Sequence, residues 1–440
     1  MVVNMEIISK EMIKPSTPTP HNLKIYNLSF LDQIAPSHYF PLIFFYQSNL
    51  NSNIIDHSQK SQQLKSSLSF ALTKFYPLAG RLNIGSLSIE CNDAGASYNE
   101  AKVHAQLLEV MEHGKIEDLN QYLPLNPHDG WRDFEEKILL AIQINYFDCG
   151  GIAIGVCMSH KIADGTSLVM FMTSWAAICQ GDAKLVLQPN FDLASHYFPP
   201  NYLSICGNKP HKGIEKEKFV AKRFVFDKEK LEKLKKEVVS SSLESDQVKE
   251  KITRVEAVTA FLWKRFMVVG KSKLGSENLY VALHALNLRP RMSPPLSDLA
   301  FGNLWRFVLA ISSSSSDRTA DNYNDLVLQL RNGITEVNNE CLNHAEKNLD
   351  YINKSLELFS KGENMQICTF SSWCRFPIYD VDFGWGVKPI WVCTTAIPFK
   401  DAVILMPTRS GDGIEAWVNM LEDEFEMLQN DEEFTSLLVH

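Results

Sequence analysis

The feature that most constrains the fold of this chain is an uninterrupted apolar run at residues 152–158. A strand with one face in water alternates apolar and polar residues, whereas a strand covered on both faces reads as a continuous apolar run. The pattern predicts another strand just before it, over 138–147, and a helix just after it, over 166–180. The sequence therefore predicts a sheet with helices packed on its faces, which is an α/β fold.

The same patterns recur along the chain and predict its domain organisation. Further helices are predicted over 61–75, 254–266 and 322–339, and further strands over 86–91, 219–226, 279–286, 402–406 and 413–420. Over about 188–215, hydrophobic periodicity fades and four prolines occur, which is typical of a long crossover. With 440 residues, we expect two similar-sized α/β domains. They are an N-terminal domain over 1–188 and a C-terminal domain over 216–440, joined by a crossover loop over 189–215.

Charge and cysteine usage exclude several classes of protein. The formal charge of −9 argues against a nucleic-acid-binding protein, which must neutralise phosphates over a broad face. The nine cysteines show no metal-binding or paired spacing, which is typical of a reducing compartment. The longest apolar stretch, 40–46, is strand-sized, and the first ten residues lack the order of a signal peptide. We therefore expect a cytoplasmic protein without a membrane partner.

One stretch opposes the acidic balance of the chain. Residues 209–236 hold eleven basic and five acidic side chains. Favourable i, i+4 pairs such as Glu229–Lys233 favour a solvated helix. The alternative is a surface that attracts a small polyanionic ligand.

A candidate catalytic histidine follows the buried strand, in the segment SHKIADG at 159–165. At the end of a strand and in a turn, His160 is expected to lie half exposed in a cleft. Its ordinary pKa of about 6.5 suits it to accept and return a proton near neutrality. Asp164 has two interpretations. It orients the imidazole, or it serves as a turn former and N-cap ahead of the helix, and its position beside Gly165 favours the second.

Two further segments carry candidate residues. DFGWG at 382–386 places two glycines around an aromatic side chain, which favours a tight turn packed under Trp385. NLRPR at 287–291 offers Arg289, either to a buried carboxylate or to a ligand anion. The sequence contains no cluster of metal ligands and no Gly-x-Ser-x-Gly elbow, so neither a metal site nor a serine nucleophile is predicted.

Together, in this order and at this separation, the histidine motif and DFGWG resemble those of the plant BAHD acyltransferases. The resemblance covers nearly the whole chain. Further segments that carry it are 28–33, 76–81, 91–95, 253–257, 287–291 and 411–417. The opening residues 14–20 resemble the vinorine synthase-like branch, whose members acetylate alkaloid and terpenoid alcohols.

The resemblance implies a fold and an activity. The fold is that of chloramphenicol acetyltransferase, with two domains of mixed sheets flanked by helices and an active-site channel at their interface. The activity is transfer of an acyl group, acetyl above all, from acetyl-CoA to a hydroxyl of a bulky alkaloid or terpenoid alcohol. Acetyl-CoA is a co-substrate, no cofactor is tightly bound, and the protein is expected to be a monomer.

The resemblance also implies roles for individual residues. His160 is the general base, and Asp164 holds its loop through a salt bridge to Arg289. The other implied residues fall into three groups, which are Asp382, Gly384, Trp385 and Gly386 as structural support, Thr253 and Arg254 beside the coenzyme, and Ser371 and Trp373 facing the reacting carbonyl.

The chain departs from the branch at two positions. Val387 stands between Gly386 and Lys388-Pro389, and Pro407 stands where relatives often carry Asp. Both departures concern the lining of the pocket and channel rather than the reaction class. Two alternatives to acetyl transfer remain, namely transfer of a larger benzoyl or hydroxycinnamoyl group, and a non-catalytic homologue that binds metabolites.

Overall fold

The fold is described from a computed structural model. The structure describes residues 3–48, 57–126, 138–182, 184–200, 219–240, 252–274, 279–313, 322–340, 365–397 and 399–438. The chain forms two compact units. The first comprises Met1–Pro210, Ser297–Leu304 and Phe376–Pro398, and the second comprises His211–Leu296, Trp305–Arg375 and Phe399–His440.

Strands and helices alternate along most of the chain. The strands are β1 (Asn4–Ile13), β2 (Ile25–Asn27), β3 (Tyr39–Tyr46), β4 (Arg81–Asn83), β5 (Ser88–Glu90), β6 (Ala96–His104), β7 (Leu140–Phe147), β8 (Ile152–Ser159), β9 (Phe219–Phe226), β10 (Leu279–Asn287), β11 (Trp305–Ser313), β12 (Met365–Ser372), β13 (Trp391–Cys393), β14 (Ala402–Pro407) and β15 (Ile414–Leu421). The helices are α1 (Phe30–Ile34), α2 (His57–Lys74), α3 (Leu107–His113), α4 (Gly165–Gln180), α5 (Leu193–Tyr197), α6 (Lys228–Ser240), α7 (Arg254–Leu274), α8 (Tyr323–Glu340), α9 (Glu422–Gln429) and α10 (Glu432–Leu438).

The first unit is built on a mixed six-stranded sheet in the order β1-β6-β7-β8-β3-β13. Its β6 and β7 run parallel, and the other neighbours are antiparallel. Every residue of β7 and β8 is buried, which confirms the prediction from the apolar run. Helices α2 and α4 pack together, and the Trp175 indole of α4 donates to Ser67 Oγ of α2 at 3.1 Å. A small sheet, β2-β5-β4, completes this unit.

The second unit has its own six-stranded sheet, in the order β11-β10-β12-β14-β15-β9. Strands β10, β12 and β14 are parallel to one another, and β11, β15 and β9 run antiparallel to their neighbours. Its core gathers apolar side chains of α6, α7, α8 and the C-terminal helices over the sheet, with Trp263 of α7 fully buried. Both units are therefore α/β, as predicted.

The two units differ in detail from the domain bounds expected from the sequence. Residues 376–398, which include DFGWG, and residues 297–304 pack with the first unit. The reason is a non-local pairing, since β13 hydrogen-bonds β3 with Trp391 opposite Phe45. A three-residue strand has no periodicity of its own to reveal such a pairing. The expected crossover lies partly outside the described residues.

Two observations concern membrane-spanning helices and the state of the cysteines. Among the described residues, none of the helices combines the length and the apolar character that a membrane span requires. The seven cysteines that the described ranges contain are free thiols.

Asp401 lies in the turn directly before β14 in the second unit. It is 3% exposed, has a φ of 50°, and accepts a hydrogen bond from the Gln366 amide at Oδ2. Burial, then the nearby Glu424 charge, raises its pKa to about 7, against the lowering influence of Lys400. Because this folded-state pKa lies above the ordinary value, stability is present at acid pH and is lost as pH rises towards 7.

We expect Asp401→Asn to stabilise the protein at pH 8 by about 1–2 kcal/mol and to have little effect at pH 4. Asparagine keeps the shape, tolerates the left-handed backbone and carries no buried charge. Thermal unfolding at the two pH values measures this. Asp423→Asn, at an exposed carboxylate, is the control. An equal shift of the melting temperature at both pH values would contradict the account.

Candidate active site

His160 follows β8 directly and opens a loop at residues 160–164, called here the His160 loop. The His160 backbone N–H donates to His38 O at 2.9 Å, which connects the loop to the chain just before β3. The His38 ring lies 5.1 Å from the imidazole, and the Phe40 ring lies 4.0 Å from it. His160 is consequently only 6% exposed, so the expectation of a half-exposed histidine is wrong. The covering rings come from a separate segment of chain, which the local pattern did not reveal.

Burial decides the protonation state of His160. Removal from water lowers its pKa to about 4. Opposing this, its own backbone carbonyl, the Asp164 charge and the Asn303 side chain raise the pKa, and Lys161 lowers it further. Desolvation penalises the charged imidazolium more than these partners stabilise it. The ring is therefore neutral near pH 7 and is ready to accept a proton.

Asp164 is the N-cap of α4. Its Oδ1 accepts the backbone N–H of Ser167 at 2.9 Å, and its Oδ2 accepts the backbone N–H of Leu304 at 3.1 Å. The N-cap interpretation of the sequence is thus confirmed. The carboxylate also stabilises the helix start through the helix dipole. Arg289 belongs to the second unit, so its salt bridge with Asp164 stays a prediction.

The 297–304 segment supports the His160 loop, and sequence reasoning missed it. The Asn303 amide Nδ2 donates to His160 O at 2.7 Å and to Asp32 Oδ1 at 2.8 Å. Gly302, with a φ of 124°, donates its N–H to Ser167 Oγ and accepts the Ser167 hydroxyl at its carbonyl. Only glycine adopts such a backbone readily. The segment lies about 140 positions from His160, so no local spacing could have indicated it.

Helix α1 supports the loop from another side. Ser29 and Asp32 form a capping box, in which Asp32 Oδ2 accepts the Ser29 N–H at 2.9 Å and the hydroxyl at 2.6 Å. Burial raises the pKa of Asp32 to about 6, and its hydrogen bonds with Ser29 and Asn303 lower it. The Lys161 ammonium donates to Gln33 O at 2.8 Å. Residues 28–33, one of the segments that carry the family resemblance, thus support the His160 loop through hydrogen bonds.

The DFGWG segment forms a tight turn in the first unit. Its Asp382 Oδ1 accepts the Gly384 N–H at 2.8 Å, and Gly384 and Gly386 have φ values of 84° and 73°. Trp385 stacks on Phe383 at 5.3 Å and meets the ring of Tyr46 edge-on. The Asp382 carbonyl also accepts the side-chain amide of Gln180 at the end of α4. These contacts agree with a tight turn packed under Trp385.

The second unit holds the other sequence-predicted residues. The Trp373 indole N–H donates to Ser371 Oγ at 3.2 Å, and its backbone N–H donates to Leu405 O at 2.7 Å. Ser371 lies on β12, and Trp373 follows directly after the strand. The structure thus brings these two side chains together. Their grouping with His160 stays a prediction, because they lie in the other unit.

Thr253, Arg254 and Arg289 also lie in the second unit. Thr253 forms a capping box with Glu256 at the start of α7, with hydrogen bonds of 2.8 and 3.2 Å. Arg254 donates to Gly411 O at 2.7 Å. Arg289 is fully buried, and its backbone N–H donates to Asn287 Oδ1 at 3.1 Å. Within the described ranges no group of three or more metal-ligating side chains is found.

Comparison with known proteins places the chain in a family. The Transferase family matches residues 3–435. Stemmadenine O-acetyltransferase from Catharanthus roseus is 46% identical over 440 residues, which covers 100% of this chain and 99% of the relative. Vinorine synthase from Rauvolfia serpentina is 43% identical over 431 residues, which covers 97% of each chain.

Solved structures agree with the sequence relatives. The crystal structure of vinorine synthase has a TM-score of 0.84 and 40% identity, and the match covers 99% of this chain and 98% of that one. TRI101 from F. sporotrichioides, complexed with coenzyme A and T-2, has a TM-score of 0.72 at 18% identity, which shows a shared fold. That match covers 94% of this chain and 98% of the other. The chain belongs to the Transferase family, the BAHD acyltransferases, and is an acyltransferase.

Proposed function

We propose that this acyltransferase transfers an acetyl group from acetyl-CoA to a hydroxyl of a bulky alkaloid or terpenoid alcohol, with His160 as general base. The observation that carries the proposal is the buried, neutral imidazole at the end of β8 in a chain whose relatives are named O-acetyltransferases. A neutral imidazole accepts a proton without first releasing one.

The proposed reaction proceeds directly between the two substrates. His160 accepts the hydroxyl proton as the oxygen attacks the thioester carbonyl, and a tetrahedral oxyanion forms. When this intermediate collapses, the carbon–sulfur bond breaks and the imidazolium protonates the departing thiolate of coenzyme A. The imidazole is regenerated, and no acyl-enzyme is formed. Burial assists the return step, because it makes the imidazolium a stronger acid.

We propose Ser371 as the donor to the oxyanion. Its Oγ accepts the Trp373 indole N–H, so the Ser371 hydroxyl hydrogen is the one that turns towards an acceptor. Trp373 then orients the hydroxyl. One well-placed donor of this kind stabilises the transition state by about 3 kcal/mol.

We propose that Thr253 and Arg254 border the coenzyme, at the start of α7. The basic residues of α6, in the same unit, supply positive charge that attracts the phosphates. The complex of TRI101 with coenzyme A supports a coenzyme site in a protein of this fold. We also propose a two-domain division close to that expected from the sequence, and a protein that acts as a monomer in the cytoplasm. The free thiols favour a reducing compartment.

The experiment that tests the function is a donor and acceptor panel. The purified protein is incubated with acetyl-, benzoyl- or hydroxycinnamoyl-CoA and with stemmadenine, other alkaloid alcohols or terpenoid alcohols, and products are found by mass spectrometry. We expect acetylated products. Preference for an aromatic thioester would favour transfer of larger groups. Absence of product with every donor would favour a binding protein.

Replacement of the proposed base is the first prediction from this mechanism. We expect His160→Gln to lower kcat by about 10²–10⁴-fold, because general-base assistance is lost. Turnover with acetyl-CoA measures it. His113→Gln, at an exposed histidine, is the matched control and should leave turnover unchanged. Retention of more than about a tenth of wild-type turnover by His160→Gln would remove His160 from this role.

Replacement of the N-cap separates support from chemistry. In Asp164→Asn one amide N–H faces the Leu304 N–H, so a buried hydrogen bond is lost, at a cost of about 1–3 kcal/mol. We expect the melting temperature and the activity to fall together. Asp192→Asn, at an N-cap whose side chain makes no capping bond, is the control. Lost activity at an unchanged melting temperature would assign Asp164 a direct catalytic role.

A further inference from the structure

We propose that Arg331 of α8 is a positioning residue for the coenzyme. Through Glu256 it fixes the start of α7, where Thr253 and Arg254 lie. The inference rests on the proposed function, in which these two residues border the coenzyme. Arg331 stands 75 positions beyond Glu256, so no local spacing in the sequence indicates the link.

The Glu256 carboxylate serves two partners at once. Its Oε2 accepts the backbone N–H of Thr253 at 2.8 Å, which closes the capping box at the start of α7. The Arg331 guanidinium donates its Nε–H to Oε1 at 2.7 Å and an Nη2–H to Oε2 at 3.1 Å. Two such hydrogen bonds hold a carboxylate in one orientation. The orientation that Arg331 stabilises is therefore the one that reaches back to Thr253.

The pair is an ionised and largely buried contact. Burial raises the pKa of Glu256, but hydrogen bonds from Arg331 and Thr253, together with the Arg331 charge, outweigh burial and hold this pKa below its ordinary value. The exposed fraction of the side chain is 17% for Glu256 and 19% for Arg331. Charges withdrawn from water in this way attract each other more strongly than a solvated surface pair does.

Close packing of α8 sets the position of Arg331. A Cβ on residue 333 would lie 2.5 Å from Leu309 O of β11 and 2.6 Å from a Val308 methyl carbon. Glycine at this position therefore lets α8 lie directly against the sheet. Closely packed elements yield little to small forces. Arg331, two residues before Gly333, consequently contacts α7 from a fixed place.

The start of α7 presents two groups that suit a ligand with phosphates. The Thr253 hydroxyl accepts the Glu256 N–H at 3.2 Å, so the hydroxyl hydrogen turns towards another acceptor. The Arg254 guanidinium donates one N–H to Gly411 O at 2.7 Å, and its further N–H groups suit a phosphate. Coenzyme A carries such phosphate oxygens. If Glu256 turned away, the capping box would open and both groups would lose their fixed backbone.

A second ion pair on α7 provides a matched control. The two oxygens of Asp431 accept Nη1 of Arg265 at 2.9 and 3.0 Å, and its Oδ1 also accepts the backbone N–H of Phe434 at 2.8 Å. Asp431 thus has the same two tasks as Glu256, namely an arginine partner and a backbone N–H. Arg265 lies about 16 Å along α7 from Arg254, so this pair is remote from the proposed coenzyme site.

The test is the dissociation constant of coenzyme A, measured by isothermal titration calorimetry on the full-length protein. We expect Arg331→Gln and Glu256→Gln to raise Kd by about tenfold, because the site must then be ordered on binding. Arg331→Lys keeps the charge but not the paired donors, so its Kd should lie in between. Asp431→Asn should lower the melting temperature and leave Kd unchanged.

Turnover separates positioning of the coenzyme from damage to the reaction centre. With a saturating acceptor from the panel, we expect KM for acetyl-CoA to rise together with Kd in Arg331→Gln. We expect kcat to stay within about threefold of the wild type, because the binding that is lost is the same in the ground state and the transition state.

A wild-type Kd in folded Arg331→Gln or Glu256→Gln would overturn the inference, and so would an equal rise of Kd in Asp431→Asn. If Arg331→Gln fails to fold, Arg331→Lys carries the test. Arg254→Ala separates the inference from the proposed function. A raised Kd in Arg254→Ala beside a wild-type Kd in the Arg331 variants would overturn the inference alone. A wild-type Kd in Arg254→Ala would overturn the proposed coenzyme site and the inference with it.

Discussion

The burial of the His160 imidazole is the constraint on which the rest of the site depends. A histidine removed from water loses its proton readily, and this one has a pKa of about 4. The low pKa keeps the ring unprotonated at neutral pH, so it is able to accept a proton. A buried ring with two polar nitrogens must also be held in place. The chain meets this need with four segments of the first unit, which are the end of β8, the residues before β3, helix α1 and the 297–304 segment.

Each of these segments brings a polar group that is itself buried and must be satisfied. Asp32, Asn303 and Ser167 are all less than 1% exposed, and the described hydrogen bonds join them into one network around the loop. Such networks are costly when incomplete and specific when complete. The network explains why a short helix with a capping box and a glycine of positive φ occur beside a histidine loop. The capping box and the glycine fix the geometry of the His160 loop, at the cost of burying polar groups.

Local features of this site were predictable from the sequence, and non-local ones were not. The apolar run gave β8, helical spacing gave α4, and the turn before α4 gave Asp164 as its N-cap. Each of these depends on neighbours within a few residues. Asn303 acts across more than 140 positions, and β13 joins the first sheet from residue 391. Neither has a local signature. The exposure of His160 was wrongly expected for the same reason, because Phe40 covers it from a distant segment.

The pH dependence of kcat/KM tests most directly whether the buried, neutral imidazole is the base. This parameter reports the groups of the free enzyme that must be in one protonation state. With a folded-state pKa of about 4, the base stays neutral as pH falls, so kcat/KM should stay level from pH 7.5 to pH 5.5. Circular dichroism at each pH confirms that the protein remains folded. A fall of about tenfold by pH 5.5, with a midpoint near 6.5, is the behaviour of an ordinary solvated histidine and would contradict the account.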